Sequence, residues 1–336
     1  MPHLKRVLLT GAFGGLGRHV LRELLGRGYQ VRCFDRPSRS ARRFAGSFHR
    51  RLDLAWGDIR VPADLEKAVS GSDAVIHTAG VSYPASEADP AASAAVNVLG
   101  TRNLVDAVQR KSPQAQIVFA SSFHVHPYRP DRGRLLHVGD PLGAGHPFGQ
   151  QKIEAENAIR SSGLSFTILR LAEVLLDRWP TPRRIRAMFE LPLDTRLELV
   201  HPTDAGVAFA NALARPGARS RTFFVGGGKT CQVTVRTFYR DLFAVRGLAM
   251  PPDAAFSQEP FVGDWLDTTE SHAVLTYQKR SLAEWLKARR PVPPLYWTTR
   301  LLSQPFLALT LRLSPPWRHQ RLAAPAAAPG RAAEAE

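Results

Sequence analysis

Short apolar runs alternate with longer amphipathic stretches along the first half of the chain. The runs are rich in Val, Ile, Leu and Phe, which predicts buried strands, and the stretches repeat apolar residues at helical spacing. Strands are predicted over 7–9, 30–34, 52–56, 74–77, 117–120 and 166–171, and helices over 62–69, 90–110 and 148–161. This alternation predicts an α/β fold, with a Rossmann-type doubly wound parallel sheet and a smaller C-terminal substrate lobe.

A glycine-rich turn joins the first predicted strand to the helix that follows it. Residues 10–17 read Thr-Gly-Ala-Phe-Gly-Gly-Leu-Gly. Gly11 permits a tight turn, Gly14 lets the backbone approach a pyrophosphate, and Gly17 lets helix and strand pack closely. The helix N-terminus supplies N–H groups and a positive dipole to that anion. The second strand ends at Asp35, where a carboxylate holds ribose hydroxyls, so this region is predicted to bind a dinucleotide.

Beyond the last predicted strand the pattern loosens, and the chain divides into four predicted parts. These are a dinucleotide-binding Rossmann domain over 1–175, a substrate lobe over 176–290, an amphipathic segment over 291–321 and a disordered tail over 322–336. Strand-like runs near 196–226 predict that Rossmann elements return within the lobe. The tail contains little besides Ala, Pro, Gly and Glu, a composition that cannot bury enough apolar surface to fold.

Composition and charge narrow the class of protein. The formal net charge is +16, from 45 Lys and Arg against 29 Asp and Glu, and such a balance invites a nucleic-acid partner. The arginines are scattered and no nucleic-acid-binding motif is present, so we expect no nucleic acid. Two cysteines, Cys33 and Cys231, form neither a disulfide framework nor metal-ligand spacing. With no signal peptide ahead of the glycine loop, we predict a cytoplasmic protein without a metal.

The segment from 295 to 321 carries apolar residues at near-helical spacing with arginines among them. The apolar residues are Trp297, Leu301, Leu302, Leu309 and Leu313. The segment is too short and too charged to span a bilayer. Two interpretations stay open: an interfacial helix in peripheral contact with anionic lipid, or a helix packed on the protein itself or on a second subunit of a homodimer.

Further motifs follow the glycine loop in a characteristic order. They read Gly57-Asp58-Ile59, His77-Thr78-Ala79-Gly80, Asn97-Val98-Leu99-Gly100-Thr101, Ser121-Ser122 and Val200-His201-Pro202-Thr203-Asp204-Ala205. Together they resemble the extended short-chain dehydrogenase/reductase superfamily, in its NAD-dependent epimerase/dehydratase-like branch, over about residues 5–230.

The resemblance implies an NAD-binding Rossmann domain and a small-molecule substrate. The implied cofactor-binding residues are Gly11, Gly14, Gly15, Leu16, Gly17, Asp35, Arg36, Asp58, Ile59, Thr78, Ala79, Gly80, Asn97 and Lys152. The implied catalytic residues are Ser122 and Lys152. In that family the lysine holds the nicotinamide ribose and lowers the pKa of a tyrosine four residues before it.

The choice between NAD and NADP depends on the end of the second strand. Arg36, Arg39, Arg42 and Arg43 could pair with the 2′-phosphate of NADP. Asp35 would repel that phosphate, because two unit charges about 4 Å apart cost on the order of 4 kcal/mol at a protein surface. NAD is therefore the favoured cofactor and NADP the alternative.

One departure from the family pattern concerns the catalytic tyrosine. The stretch before Lys152 reads Pro-Phe-Gly-Gln-Gln, so Phe148 occupies the tyrosine position. A positioned general acid or base contributes about 10²–10⁴ in rate, and a phenyl ring cannot exchange a proton. Other side chains that could supply one are Tyr83, His124, His126, Tyr128 and His146. The helical spacing places His146 off the face that carries Lys152.

Three functions remain open at this stage. The first is an NAD(P)-dependent dehydrogenase, epimerase or dehydratase that acts on a small hydroxylated or keto metabolite with an atypical active site. The second is a catalytically silent NAD(P)-binding regulator or binding subunit, which the phenylalanine favours. The third is an isomerase or lyase that uses the same scaffold without net redox chemistry and takes its acid from a histidine.

Overall fold

A seven-stranded parallel sheet organises the chain. The computed structural model describes residues 6–48, 52–131, 133–176 and 181–318. Its strands are β1 (Arg6–Thr10), β2 (Gln30–Asp35), β3 (Asp53–Trp56), β4 (Ala74–His77), β5 (Gln116–Ser122), β6 (Phe166–Leu171), β7 (Glu173–Val174), β8 (Arg196–Val200), β9 (Arg221–Val225) and β10 (Gln232–Thr234). The main sheet has the order β3-β2-β1-β4-β5-β6-β9, and its neighbouring strands are parallel. The order reverses between β1 and β4, and ligands of such sheets bind at that point.

The described part of the chain contains fourteen α-helices. They are α1 (Gly17–Gly26), α2 (Arg39–Gly46), α3 (Pro62–Val69), α4 (Ala85–Ala88), α5 (Pro90–Ala94), α6 (Gly100–Lys111), α7 (Pro147–Arg160), α8 (Pro182–Phe189), α9 (Pro202–Ala214), α10 (Val235–Val245), α11 (Thr269–Leu275), α12 (Leu282–Lys287), α13 (Pro293–Leu301) and α14 (Ser303–Leu311). On β1, Leu9 joins the core cluster under α1 and α9, whereas Leu8 joins the cluster under α3, α6 and α7. Successive strand residues thus point to opposite buried faces, and the predicted doubly wound α/β fold is confirmed.

Three local predictions differ from the structure. The helix predicted over 90–110 is interrupted by a π-helical turn at Ala95–Leu99. Helix α2 forms where the sequence suggested only a basic stretch. Its N-cap is Ser38, whose side chain accepts a hydrogen bond from the amide of Ala41, a standard start signal. Of the two predicted returning strands, β9 joins the main sheet, whereas β8 lies between β10 and β7 in a small separate sheet.

The chain forms two compact units. The first contains residues 1–179, 195–234 and 261–288, and the second contains residues 180–194, 235–260 and 289–336. In the second unit the ring of Phe256 packs 5.2 Å from that of Phe189 and 6.0 Å from that of Tyr239. The predicted tail over 322–336 lies outside the described residues.

The C-terminal helices α13 and α14 belong to the second unit and expose large apolar side chains. Leu295, Trp297, Leu301, Leu302 and Leu309 are each more than half exposed. Among the residues that the structure describes, no helix combines the length and apolar character needed to cross a bilayer.

Candidate functional site

A cleft of about 300 Å³ opens where the order of the main sheet reverses. Of the residues predicted to bind a cofactor, those that line it are Gly11, Gly14, Asp35, Arg36, Asp58, Ile59, Thr78, Ala79 and Gly80. The predicted residues outside its lining are Gly15, Leu16, Gly17, Asn97 and Lys152. The structure therefore brings side chains and backbone from the ends of β1, β2, β3 and β4 to one cavity.

The glycine loop has no room for side chains at two of its positions. Gly11 has φ +67°, and a Cβ there would lie 2.7 Å from Cα of Ala79. A Cβ on Gly17 would collide with the carbonyl oxygen of Gly11. The amides of Gly15, Leu16 and Gly17 meet no acceptor within the described part of the chain. Three N–H groups at the start of a helix are suited to an anion.

Asp35 closes the other side of this loop. Its carboxylate accepts hydrogen bonds from the amides of Phe13 and Arg36, both at 2.8 Å. Burial raises the pKa of Asp35 above its ordinary value, and the two amide bonds oppose that rise. The carboxylate thus fixes the loop while it lines the cleft.

The basic residues near the cleft are largely engaged. Arg42 lies over the ring of Trp56 and Arg18 over that of Phe44, with guanidinium carbons 5.3 and 4.3 Å from the ring centroids. Arg36 lines the cleft itself. Asp58, also in the lining, forms a 2.6 Å ion pair with Arg60, and this partner lowers the pKa of Asp58.

A buried chain of hydrogen bonds positions the segment after β4. The ring of His77 bonds Thr10 Oγ1 at 2.8 Å and Thr101 Oγ1 at 3.0 Å. Thr101 donates to the carbonyl of Asn97, and the amide of Ala79 donates to Thr10. Complete burial lowers the pKa of His77 to about 3, so the ring is neutral and accepts from Thr10. The glycine loop, β4 and the π-helical turn are therefore linked.

The side chain of Asn97 binds other groups of the protein and does not line the cleft. Its Oδ1 accepts from the amide of Val81 at 2.8 Å, and its Nδ2 donates to the Val81 carbonyl and to Gln151 Oε1. Gln151 in turn donates to Ser93 Oγ. The side chain of Asn97 is fully hydrogen-bonded within the protein, beside the residue that precedes Lys152.

Lys152 extends from α7 toward Gly80, which lines the cleft. Its Nζ donates to the carbonyl of Ala120 at 2.7 Å, and it would lie 3.8 Å from a Cβ on Gly80. Burial lowers the pKa of Lys152 to about 8. Ser122, at the end of β5, accepts a hydrogen bond from the amide of His124. Both predicted catalytic residues are thus buried, Lys152 within α7 and Ser122 at the end of β5.

Phe148 lies among aromatic side chains on the same helix as Lys152. Its ring centroid is 5.7 Å from the ammonium nitrogen of Lys152, 5.9 Å from the ring of His124 and 6.4 Å from that of His146. The ring of Tyr83 lies 6.1 Å from each histidine. His146 is the N-cap of α7, so its ring turns back over Phe148, which helical spacing alone did not indicate.

The five alternative proton donors divide into two groups. Tyr83, His124 and His146 meet at Phe148. His126 is buried elsewhere, between the carbonyl of Pro141 and the guanidinium of Arg170, and its pKa falls to about 4 through burial. Tyr128 is exposed at 37 %.

Two carboxylates near Phe148 had no signal in the sequence. Glu173, the first residue of β7, accepts from His124 Nε2 at 3.0 Å. Glu87, in α4, accepts from the amide of Phe148. Neither belongs to a motif, because chain segments far apart in sequence bring them to the site. Within the described residues, no group of three or more His, Cys, Asp or Glu side chains is arranged to hold a metal ion.

Comparison of the sequence and structure with known proteins identifies the family of this chain. A family model described as the NAD dependent epimerase/dehydratase family matches residues 7–190. A 3-beta-hydroxysteroid dehydrogenase of Mycolicibacterium neoaurum is 38 % identical over 125 residues, 35 % of this chain and 32 % of that protein. The Photosystem II assembly factor Ycf39 of Trieres chinensis is 28 % identical over 231 residues, 66 % of this chain and 64 % of that protein.

A solved structure resembles nearly the whole chain. UDP-glucuronic acid 4-epimerase from Bacillus cereus, in complex with UDP-glucuronic acid and NAD, superposes with a TM-score of 0.73. The identity is 18 %, over 87 % of this chain and 99 % of that one, so the likeness shows the fold.

The curated relatives matched first extend well beyond the aligned region: the chain spans from about a third to just under two thirds of their length. The family model, by contrast, covers more than half of this chain, and the prediction of NAD as the cofactor is confirmed at the level of the family. The chain belongs to the NAD dependent epimerase/dehydratase family.

Proposed function

We propose that this protein binds NAD(H) in the cleft and acts on a small hydroxylated or keto metabolite, as an oxidoreductase, epimerase or dehydratase. One observation carries the proposal. Gly80 lines the cleft, and the point where its Cβ would lie is 3.8 Å from Lys152 Nζ. The dinucleotide cleft and the catalytic lysine therefore meet at one place.

The residues present fit the cofactor. The amides of Gly15, Leu16 and Gly17 face an anion, and Asp35 accepts ribose hydroxyls while it disfavours a 2′-phosphate. Lys152 holds the nicotinamide ribose, and Ser122 polarises the substrate oxygen. NAD, when bound, supplies a hydride acceptor for the carbon that bears this oxygen.

A second function has support of its own. Phe148 cannot exchange a proton, and one relative is named as an assembly factor. A catalytically silent NAD-binding regulator would keep the cleft and lose the acid. A non-redox isomerase or lyase that takes its proton from His124 or His146 is the third candidate.

Calorimetry and cofactor fluorescence separate these functions. We expect NAD(H) to bind and some member of a panel of ketones, secondary alcohols and nucleotide sugars to be converted, with net formation or consumption of NADH if the protein is an oxidoreductase. Binding without conversion of any of these compounds would favour the regulator. Conversion without net change in NADH would indicate an epimerase, isomerase or lyase, and no binding of either cofactor would reject the proposal.

A further inference from the structure

Four polar side chains from separate elements form a chain around Phe148. His124 Nε2 lies 3.0 Å from Glu173 Oε1, and His124 Nδ1 lies 2.9 Å from His146 Nε2. His146 Nδ1 is 3.9 Å from Glu87 Oε1. The two imidazoles thus stand in line between two carboxylates, beside the ring that occupies the family's tyrosine position.

The cap of α7 determines which nitrogens carry hydrogen. The amide of Gly149 donates to His146 Nδ1 at 3.3 Å, so this nitrogen accepts and the hydrogen of the neutral ring is on Nε2. His146 Nε2–H then donates to His124 Nδ1. His124 therefore carries its hydrogen on Nε2 and donates it to Glu173. All hydrogen bonds along the chain point the same way, toward Glu173.

Among these four polar side chains, exposure to solvent differs most between His124 and Glu173. The side chain of His124 is 3 % exposed, whereas that of Glu173 is 47 % exposed. Rings of Tyr83 and Phe261 pack on His124, at 6.1 and 6.3 Å between centroids. Glu173 is the most accessible of the four side chains, since those of His146 and Glu87 are 17 % and 25 % exposed.

Burial and the neighbouring ring of His124 lower the pKa of His146 to about 4. A proton on His146 is therefore disfavoured at neutral pH, and this ring stays neutral. The groups that face the two histidines are Glu173 from β7, Glu87 from α4 and Tyr83 from the loop after β4.

We propose that Glu173, backed by His124 and His146, exchanges with the substrate oxygen the proton that the ring of Phe148 cannot. In one direction the O–H bond of a substrate hydroxyl breaks, its electron pair stays on that oxygen, and a new O–H bond forms on Glu173. In the other direction the carboxylic acid returns the proton. The chain carries one proton and no electrons. This inference rests on the proposed function, because it assigns the acid and base of the same site.

The hydrogen-bond direction can be tested without a substrate. In protein labelled with ¹⁵N-histidine, long-range ¹H–¹⁵N NMR should show the Nε2–H tautomer for His124 and His146 at neutral pH. Glu173→Gln removes the negative charge that accepts the His124 Nε2–H, so the ¹H and ¹⁵N chemical shifts of this group should change. The exposed His137 serves as internal reference, and Glu154→Gln, on the exposed face of α7, is the matched control.

The NMR results can overturn the proposal directly. The Nδ1–H tautomer at His124 would reverse the chain. A His124 Nε2–H signal that does not respond to Glu173→Gln would show that the ring does not act with the carboxylate.

Turnover provides the second test. With a compound converted in the panel, Glu173→Gln should lower kcat by about 10²-fold or more, with KM little changed. Adding Phe148→Tyr to that variant should restore turnover, because the phenol then supplies the proton. If Glu173→Gln is silent and Tyr83→Phe abolishes turnover, the acid is Tyr83 and the proposal is wrong. Calorimetric NAD binding, which Glu173→Gln should leave intact, reports separately on the proposed function.

Discussion

At the residue scale, Asp35 combines a structural and a selective role. Its carboxylate holds the amide of Phe13, within the glycine loop, and lines the cleft at the end of β2. A residue that only read the ribose could be replaced at the cost of specificity alone. Replacement of Asp35 also frees a loop amide, so both the affinity for dinucleotides and the preference between them should change.

We expect the unmodified protein to bind NAD(H) more tightly than NADP(H), and Asp35→Ala to narrow or reverse this difference. Removal of the carboxylate ends its repulsion of a 2′-phosphate, and Arg36 remains in the cleft lining to attract one. Titration calorimetry with the four nucleotides measures the effect. Asp53→Ala, at an exposed carboxylate on the neighbouring strand β3, is the control. Tighter NADP(H) binding by the unmodified protein would contradict the assignment.

Phe148 differs from the family's tyrosine by one oxygen atom. Its ring already faces Lys152, whose ammonium is 5.7 Å from the ring centroid. In the Glu173→Gln background, which lacks the acid proposed above, Phe148→Tyr should therefore raise redox turnover by about 10²-fold or more. Stopped-flow measurement of NADH formation tests this. The same substitution in the unmodified protein should add little, because Glu173 already supplies the proton, and a large gain there would contradict the role of Glu173.

At the scale of elements, the glycine loop is held by backbone contact rather than by side chains. Gly17 begins α1 against the carbonyl of Gly11, and Gly11 lies against Ala79 after β4. The loop, α1 and the end of β4 therefore depend on one close approach, and any Cβ at Gly17 must push α1 away from the loop.

Gly17→Ala should weaken NAD binding by at least an order of magnitude and lower the melting temperature, because the added methyl group meets a backbone atom that cannot yield. Gly26→Ala, in the same helix, has open space around the new Cβ and should stabilise the protein slightly through better helix propensity. Calorimetry and thermal unfolding compare the two variants. Equal effects would show that α1 shifts freely relative to the loop.

Periodicity predicted the elements of the main sheet well, because its strands are continuous apolar runs between clear turn signals. The helix 62–69 and the strand 74–77 have the bounds predicted for them. Periodicity missed the π-helical turn at Ala95–Leu99, since one extra residue in a helix leaves the apolar spacing on either side intact. It also placed β8 in the main sheet, because the local sequence does not determine which strands pair.

The sequence predicted the part of the candidate site that one short backbone segment forms. It did not predict the part in which side chains from distant segments meet. Gly11, Gly14 and Asp35 belong to one short segment with a known geometry. The sequence did not predict the contact between Glu173 and His124, because it depends on the pairing of β7 and on the turn after β5. The role of Asn97 was also hidden, since its partners Val81 and Gln151 lie on different elements.

At the scale of the whole molecule, the exposed apolar residues of α13 and α14 accompany a strong positive charge. Leu301 is 81 % exposed and Trp297 59 %, and the formal net charge is +16. Exposed apolar residues grouped with basic ones are typical of surfaces that bind a partner or an anionic membrane.

Deletion of the residues after Pro294 should change how the protein associates. We expect either less cosedimentation with vesicles that contain anionic lipid, or a smaller particle in light scattering. Trp297→Ser combined with Leu301→Ser should reproduce the effect, whereas Leu142→Ser, at an exposed apolar residue of the first unit, should not. If vesicle binding and particle size are both unchanged, the segment contributes only local packing.

Buried neutral histidines predict acid sensitivity of the fold. Burial lowers the pKa of His77 to about 3 and that of His126 to about 4. Below the ordinary value of about 6.5 the unfolded chain takes up protons that the folded protein does not, so stability falls as pH decreases. Each ring contributes a slope of up to about 1.4 kcal/mol per pH unit.

Urea unfolding between pH 7 and pH 5 should show this loss, and His126→Gln should reduce the slope while it lowers stability at pH 7. His137→Gln, at an exposed ring, should leave the slope as it is. A free energy of unfolding that is constant over this range would contradict the burial of these rings as neutral groups.

The division into two units has a consequence for dissecting the protein. The chain passes from one unit to the other at 179/180, 194/195, 234/235, 260/261 and 288/289. No single truncation separates the units, and a single proteolytic cut at any of the first four of these points leaves two fragments that each contribute to the first unit. A protein cut once at such a point should therefore keep its cofactor cleft. Neither unit can be expressed as one uninterrupted segment of the sequence. Because each unit is assembled from separate segments of the chain, the units can be produced apart only if the segments of each are joined in a new order.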